Sequence, residues 1–208
     1  MTALNDKQIQ ILQVAERLFA EKGFDGTSIR NIAKEAGINI AMVSYYFGSK
    51  EKMLEALIYS RTTDVRMHLE NILKEEAEPM EKVDKLIELY MARVNKNRCL
   101  YQIVNSESAN VKRALNLKSF TEVKKRNLES LKLIIAQGQE KGVFRKDVNV
   151  ELIPATIFGT YFQFHIGRPL YEEVFNLKTD ADFDRYIKNE LTTHIKQTIK
   201  ALLTHEIQ

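Results

Sequence analysis

The chain has a single cysteine, three prolines, eight glycines and no tryptophan among its 208 residues. Lone Cys99 excludes an intrachain disulfide framework and fits a reducing compartment. With so few prolines and glycines, long stretches run without a breaker, and no segment shows the period-two alternation of a strand. No apolar run reaches the length of a membrane span: the longest, Leu152 to Phe164, is interrupted by Pro154, Thr156, Gly159, Thr160 and Gln163. The first ten residues are polar and lack the order of a secretory signal. A Gly-rich phosphate loop and a nucleophile–base pattern are both missing. His68, His165, His194 and His205 have no metal-ligand spacing with Cys99 or with carboxylates. The expectation is a cytoplasmic protein without catalytic residues, metal, cofactor or membrane partner.

Charge of one sign is also scarce. The 31 basic and 28 acidic residues leave a net charge of +3. Within residues 1–57, Lys7, Arg17, Lys22, Arg30, Lys34, Lys50 and Lys52 are matched by Asp6, Glu16, Glu21, Asp25, Glu35, Glu51 and Glu55, seven against seven. A nucleic-acid partner would have to be argued from placement of a few groups rather than from bulk basicity.

What is present is helical periodicity, and it predicts an all-α chain of about nine helices. The first runs from Lys7 to Lys22, with Asn5 and Gln8 as a capping box, Ile11, Val14, Ala15, Leu18 and Phe19 as its apolar stripe, and Gly23 as its stop. A second helix starts after Thr27, whose hydroxyl is expected to cap it. A third follows Asn39 and ends at Phe47; a fourth follows Ser49 and reaches Lys74. Further helices are expected at Met80–Lys96, Arg98–Ser106, Asn116–Lys141, Glu151–His165 and Phe183–Thr204, with Gly167–Asp182 as the longest loop.

The stretch Ser28 to Leu57 is the most specific. Ala33, Gly37 and Val43 stand at the offsets of a helix-turn-helix: a small residue under a crossing helix, a turn residue with free backbone, and an inward apolar residue. Ser44, Tyr45 and Tyr46 are left to face outward, as on a helix that enters a DNA major groove. Helix 3 opens with Ile40, Ala41 and Met42, which offer apolar contacts such as those to thymine methyls and few hydrogen bonds. DNA shape is expected to supplement a modest set of base contacts.

These residues carry a resemblance. ILQVAERLFAEKGFDGTSIRNIAKEAGI, then Tyr45-Tyr46-Phe47, then Ser49-Lys50-Glu51-Lys52-Met53-Leu54, resemble the N-terminal quarter of tetracycline-repressor (TetR) family transcriptional regulators. Lys52 stands where the family often has an acidic residue. The resemblance implies a helix-turn-helix DNA-binding domain over 1–49 and a helical ligand-binding and dimerisation domain over 50–208, with helix 4 (50–74) as the connecting lever. It implies phosphate contacts from the Tyr46 hydroxyl and the Lys50 ammonium, aided by the amides at Thr27 and Ser28. Asn39, Ala41, Met42, Ser44 and Tyr45 are then the groove-facing set. The implied function is a homodimeric repressor that binds an inverted repeat in double-stranded DNA and is released by a small-molecule effector.

The later helices hold two further expectations. Ile157, Gly159 and Tyr161 with Leu191, Ile195, Ile199 and Leu202 form stripes that either pair with their mates across a dimer or complete the chain's own core. Met67, Tyr90, Met91, Tyr101, Phe120, Leu131, Phe158, Phe162 and His165 either line a pocket for an apolar or amphipathic effector or are plain core. The competing reading is an all-helical interaction or scaffold protein, favoured by the neutral N-terminal region.

Overall fold

The computed structural model describes residues 4–109 and 118–204, and the side chains of all of these except 62–66, 105–109 and 118–120. Among the described residues it contains helices and no strand. The α-helices are α1 (Asp6–Lys22), α2 (Ile29–Ala36), α3 (Ile40–Phe47), α4 (Lys50–Lys74), α5 (Pro79–Lys96), α6 (Arg98–Ala109), α7 (Lys118–Glu140), α8 (Ile153–Ile166), α9 (Arg168–Val174), α10 (Asp180–Tyr186) and α11 (Thr192–Thr204). A 3-10 turn (Val150–Leu152) precedes α8, and a π-turn (Ile187–Leu191) joins α10 to α11.

Local chemistry accounts for the boundaries. Asn5 Oδ1 accepts from the Gln8 N–H at 2.9 Å while Gln8 Oε1 accepts from the Asn5 N–H at 3.0 Å, the expected capping box. Gly37 ends α2 in the left-handed region, φ 63° and ψ 32°, where a residue with a Cβ is strained. Two features depart from expectation. The stretch expected as a loop contains α9, because Pro169 falls in its first turn, where its fixed φ suits a helix and its missing N–H costs nothing. The single helix expected over Phe183–Thr204 is instead α10, the π-turn and α11, begun at Asp180 by a reciprocal Thr179–Asp182 capping box.

The chain divides into two compact units, 1–64 with 97–123, and 65–96 with 124–208. The division falls inside α4 rather than at its first residue, and α6 joins the N-terminal unit. In the first unit α1 packs on α2 and α6, and α2 on α3. Its core includes Ile11, Ala15, Leu18, Phe19, Phe24, Ile32, Val43, Phe47, Met53, Leu57 and Leu100. The Arg61 guanidinium pairs with Glu16 at 2.6 Å, fastening α4 to α1.

In the second unit α11 packs on α5 and α8. The Thr192 hydroxyl donates to the Ile187 carbonyl at 2.8 Å, satisfying an acceptor in the widened turn. Ile157, Tyr161, Leu191, Ile195 and Ile199 are all buried within the single chain. They complete its own core, one of the two roles open to them in the sequence. The Tyr161 hydroxyl donates to Asn95 Oδ1 at 3.1 Å, fixing that ring inward. Gly159 and Leu202 are exposed. Apolar surface lies instead on the other side of α8 and on α9: Ile166 is 77% exposed, and Leu170 and Val174 are exposed too.

The turn after α7 is tightly built. The Val143 and Phe144 N–H groups both donate to the Gly138 carbonyl, at 2.9 and 3.1 Å. The buried Phe144 ring lies so close to Gly138 that a Cβ there would sit 2.0 Å from Cδ2. Gly138→Ala is therefore expected to destabilise the protein by about 2 kcal/mol through overpacking. Urea denaturation checks this, and a change under about 0.5 kcal/mol would show that the ring yields freely.

Candidate nucleic-acid interface

The recognition candidate, α3, has eight residues and cannot hold itself as a helix in water. Burial of Val43 and Phe47 fixes its inner side. Asn39 caps it, Oδ1 accepting from the Ala41 N–H at 2.8 Å. That leaves Asn39, Ile40, Ala41, Met42, Ser44 and Tyr45 exposed on one helix. Tyr45 is 85% exposed. Tyr46 is half-buried against the core, its ring edge-on to Tyr45 at 5.6 Å. The outward set expected from the sequence is thus brought together, and Ile40 joins it.

Thr27 is not part of this surface. It is 1% exposed, and its hydroxyl lies 3.0 Å from the Leu18 carbonyl and 2.9 Å from the Gly23 carbonyl. The cap of α2 is the neighbouring Ser28, whose Oγ accepts from the Asn31 N–H at 3.1 Å and is exposed. Thr27 instead stitches the end of α1 to the start of α2.

Lys50 has partners that its position at the start of α4 did not suggest. Its ammonium donates to the Phe24 carbonyl at 2.7 Å and the Thr27 carbonyl at 2.9 Å, and stands 4.3 Å from the Phe24 ring centroid. Ser49 caps α4 through the Lys52 N–H at 3.2 Å. Glu51's own backbone N–H, then the Ser49 hydroxyl, hold its carboxyl below the ordinary value. A lowered carboxyl stabilises the fold above its unfolded pKa, and that contribution is lost as pH falls through the lowered value. The exposed cations of this unit include Arg30 and Lys34 on α2 and Lys52 on α4. The side chain of Lys52 lies beside Gly48, directly after α3: a Cβ on Gly48 would be 3.8 Å from Lys52 Cδ and 4.0 Å from Nζ. Arg30 does not take Glu35, which pairs with Arg17 at 2.8 Å. That hydrogen bond lowers the Glu35 carboxyl and raises the Arg17 guanidinium.

The pocket candidates are divided between the two compact units. Tyr101 packs against the N-terminal core, and the Phe120 side chain lies outside the described residues. Met67 is 64% exposed and is no part of an interior wall. Leu131 is wholly buried core. In the second unit Tyr90 meets Phe158 at 5.4 Å, and Tyr161 meets Phe162 at 5.4 Å and His165 at 5.9 Å. Met91 lines an open cleft of about 980 Å³ with Asn95, Asp184, Arg185, Thr192 and Lys196.

The helix-turn-helix unit matches the model of bacterial regulatory proteins of the tetR family over residues 11–57, and residues 79–197 match the tetracyclin repressor-like C-terminal domain. The chain belongs to the TetR family. A relative within that family is the HTH-type transcriptional repressor KstR2 of Mycolicibacterium smegmatis, 30% identical over 147 residues, 69% of this chain and 70% of that protein. The fold is shared with the fatty acid degradation regulator FadR of Bacillus halodurans, with a TM-score of 0.77, 22% identity, and coverage of 99% of this chain and 100% of that one. FadR of Bacillus subtilis in complex with stearoyl-CoA gives a TM-score of 0.69 at 22% identity, covering 93% and 97%. The TetR-family resemblance read from the first quarter of the sequence therefore extends through the C-terminal helices.

Within this TetR-family unit, Thr27 has a structural task. Thr27→Val is expected to cost about 1–2 kcal/mol by leaving two carbonyls without the hydroxyl, and Thr27→Ser to restore most of it. Denaturant titration reads this. Unchanged stability in Thr27→Val with weakened DNA binding would return Thr27 to the interface.

Proposed function

We propose that this protein is a homodimeric, effector-released repressor that reads an inverted repeat in double-stranded DNA. The observation that carries the reading is α3: Val43 and Phe47 turn inward while Asn39, Met42, Ser44 and Tyr45 remain on its exposed side, inside a TetR-family helix-turn-helix. On this reading residues 1–49 bind DNA, and residues 50–208 take the effector and form the dimer, with α4 as the lever. Tyr46 and Ser28 supply phosphate contacts, while Asn39, Ala41, Met42, Ser44 and Tyr45 face the groove. Ala41 and Met42 donate no hydrogen bonds, so thymine methyls and DNA shape supplement the contacts of Asn39, Ser44 and Tyr45. A single helix-turn-helix reads a few base pairs, and two related by two-fold symmetry read half-sites roughly 34–36 Å apart.

The dimer is formed by the exposed apolar side of α8 with α9, where Gly159 has open space around a would-be Cβ and Ile166, Leu170 and Val174 face outward. The effector is an amphipathic molecule of the long-chain acyl-CoA class. The aromatic and methionine content of the second unit and the stearoyl-CoA complex of the Bacillus subtilis FadR support that class. It acts by binding one of two states of the protein more tightly than the other. The cytoplasm, where DNA and acyl-CoA meet, is the compartment this function requires; no described helix is long and apolar enough to cross a membrane.

Selection from random duplex DNA tests the reading, with Tyr45→Ala/Tyr46→Phe as the control. The wild type is expected to enrich an inverted repeat, and the variant to bind it about tenfold or more weakly while keeping its stability. Stearoyl-CoA, but not CoA alone, is expected to release the wild type from that duplex. Absence of an enriched repeat from effector-stripped protein would overturn the repressor reading; release by neither compound would overturn the effector class alone.

A further inference from the structure

We infer that Lys50 is a positioning residue that aims the recognition helix, and that Lys52 is the cation of α4 that meets the DNA backbone. The inference rests on the DNA-binding reading and deepens it. A lysine ammonium has three donors and no acceptor. At Lys50 the Phe24 carbonyl, the Thr27 carbonyl and the face of the Phe24 ring occupy the three directions, at 2.7, 2.9 and 4.3 Å. Reaching a phosphate would strip charge-assisted hydrogen bonds from both carbonyls.

The chain positions involved explain what the clasp does. Thr27 directly precedes Ser28, the cap of α2, and Lys50 is the first residue of α4. The bond from Lys50 to Thr27 spans 23 residues, and those residues are α2, the turn and α3. Lys50 therefore closes the chain segment that carries both helices of the motif. The Thr27 hydroxyl anchors the same turn to α1 from within. Lys52 has the opposite character. It is exposed, one turn end beyond α3, with its ammonium beside Gly48 and on the same end of the helix as Tyr45 and Tyr46.

Salt dependence separates the two roles, because each phosphate neutralised adds about 0.9 to the slope of log K against log salt. A two-fold dimer that loses one phosphate contact per protomer should lose about 1.8 of that slope. The probe is the 30-bp duplex carrying the selected inverted repeat. Lys52→Gln is expected to lower the slope by that amount. Lys50→Met is expected to weaken binding by about tenfold with the wild-type slope retained, since misaimed α3 loses contacts from neutral side chains and no cation–phosphate contact. Lys50→Arg, whose guanidinium can serve both carbonyls, restores the affinity. On the wild type, NMR of ¹⁵N-labelled lysine ammonium groups should show the Lys50 signal unmoved when the duplex is added and the Lys52 signal shifted.

A slope loss in Lys50→Met, unchanged affinity in that variant, an unchanged slope in Lys52→Gln, or a Lys50 signal that shifts on binding would each overturn the inference. The NMR arm holds even where Lys50→Met does not fold. A wild type that binds no duplex at low salt would overturn the DNA-binding reading and this inference together.

Discussion

The joint between α1 and α2, tied by one hydroxyl and one ammonium, is the constraint on which the N-terminal unit depends. Leu18 and Gly23 present theirs to the Thr27 hydroxyl; Phe24 and Thr27 present theirs to the Lys50 ammonium. The Thr27 hydroxyl is buried and the Lys50 bonds are charge-assisted, so the two side chains are bound to this place by more than local preference. Their positions then follow into the motif. With α2 started at a fixed point and α4 started against it, α3 has little freedom beyond the rotation that Val43 and Phe47 set by burial. An eight-residue helix of low intrinsic stability becomes a rigid reading head because its two flanks are tied.

The neutrality of residues 1–57 takes on a physical meaning in this light. Several charges of the unit are spent within it: Arg17 on Glu21 and Glu35, Arg61 on Glu16, Lys50 on carbonyls. Arg30, Lys34 and Lys52 are left exposed on α2 and α4, and duplex DNA carries one charge per roughly 1.7 Å, so a few cations can supply its backbone contacts. On the proposed reading, specificity is left to Tyr45, Met42 and their neighbours. Both α4 and α7 run through the two compact units, so each offers a covalent route for coupling between them.

Much of this was legible in the residues. Helical periods and caps located α1 to α8, and the Asn5–Gln8 box and the Gly37 turn formed as read. What escaped reading was decided by geometry over distance. Thr27 and Ser28 are adjacent hydroxyls, and either suits a cap; only the carbonyls of Leu18 and Gly23 tell which one turns inward. A lysine in the first turn of a helix gives no sign of a partner 23 residues earlier. The apolar α8 has candidates on both sides, so its pattern could not say that Ile157 and Tyr161 face the chain's own core while Ile166 faces out. Pocket walls were the least legible, since Met67 and Leu131 share a hydrophobic character and end at opposite extremes of exposure. Pro169 read as a loop residue although it equally opens a helix.

The central claim is that two copies of α3 are presented to one face of the duplex. Hydroxyl-radical footprinting of the wild-type protein on its selected duplex tests this most directly. Two such helices should leave two protected windows separated by about one helical turn and related by the symmetry of the repeat. One continuous window, or a single short one, would contradict it.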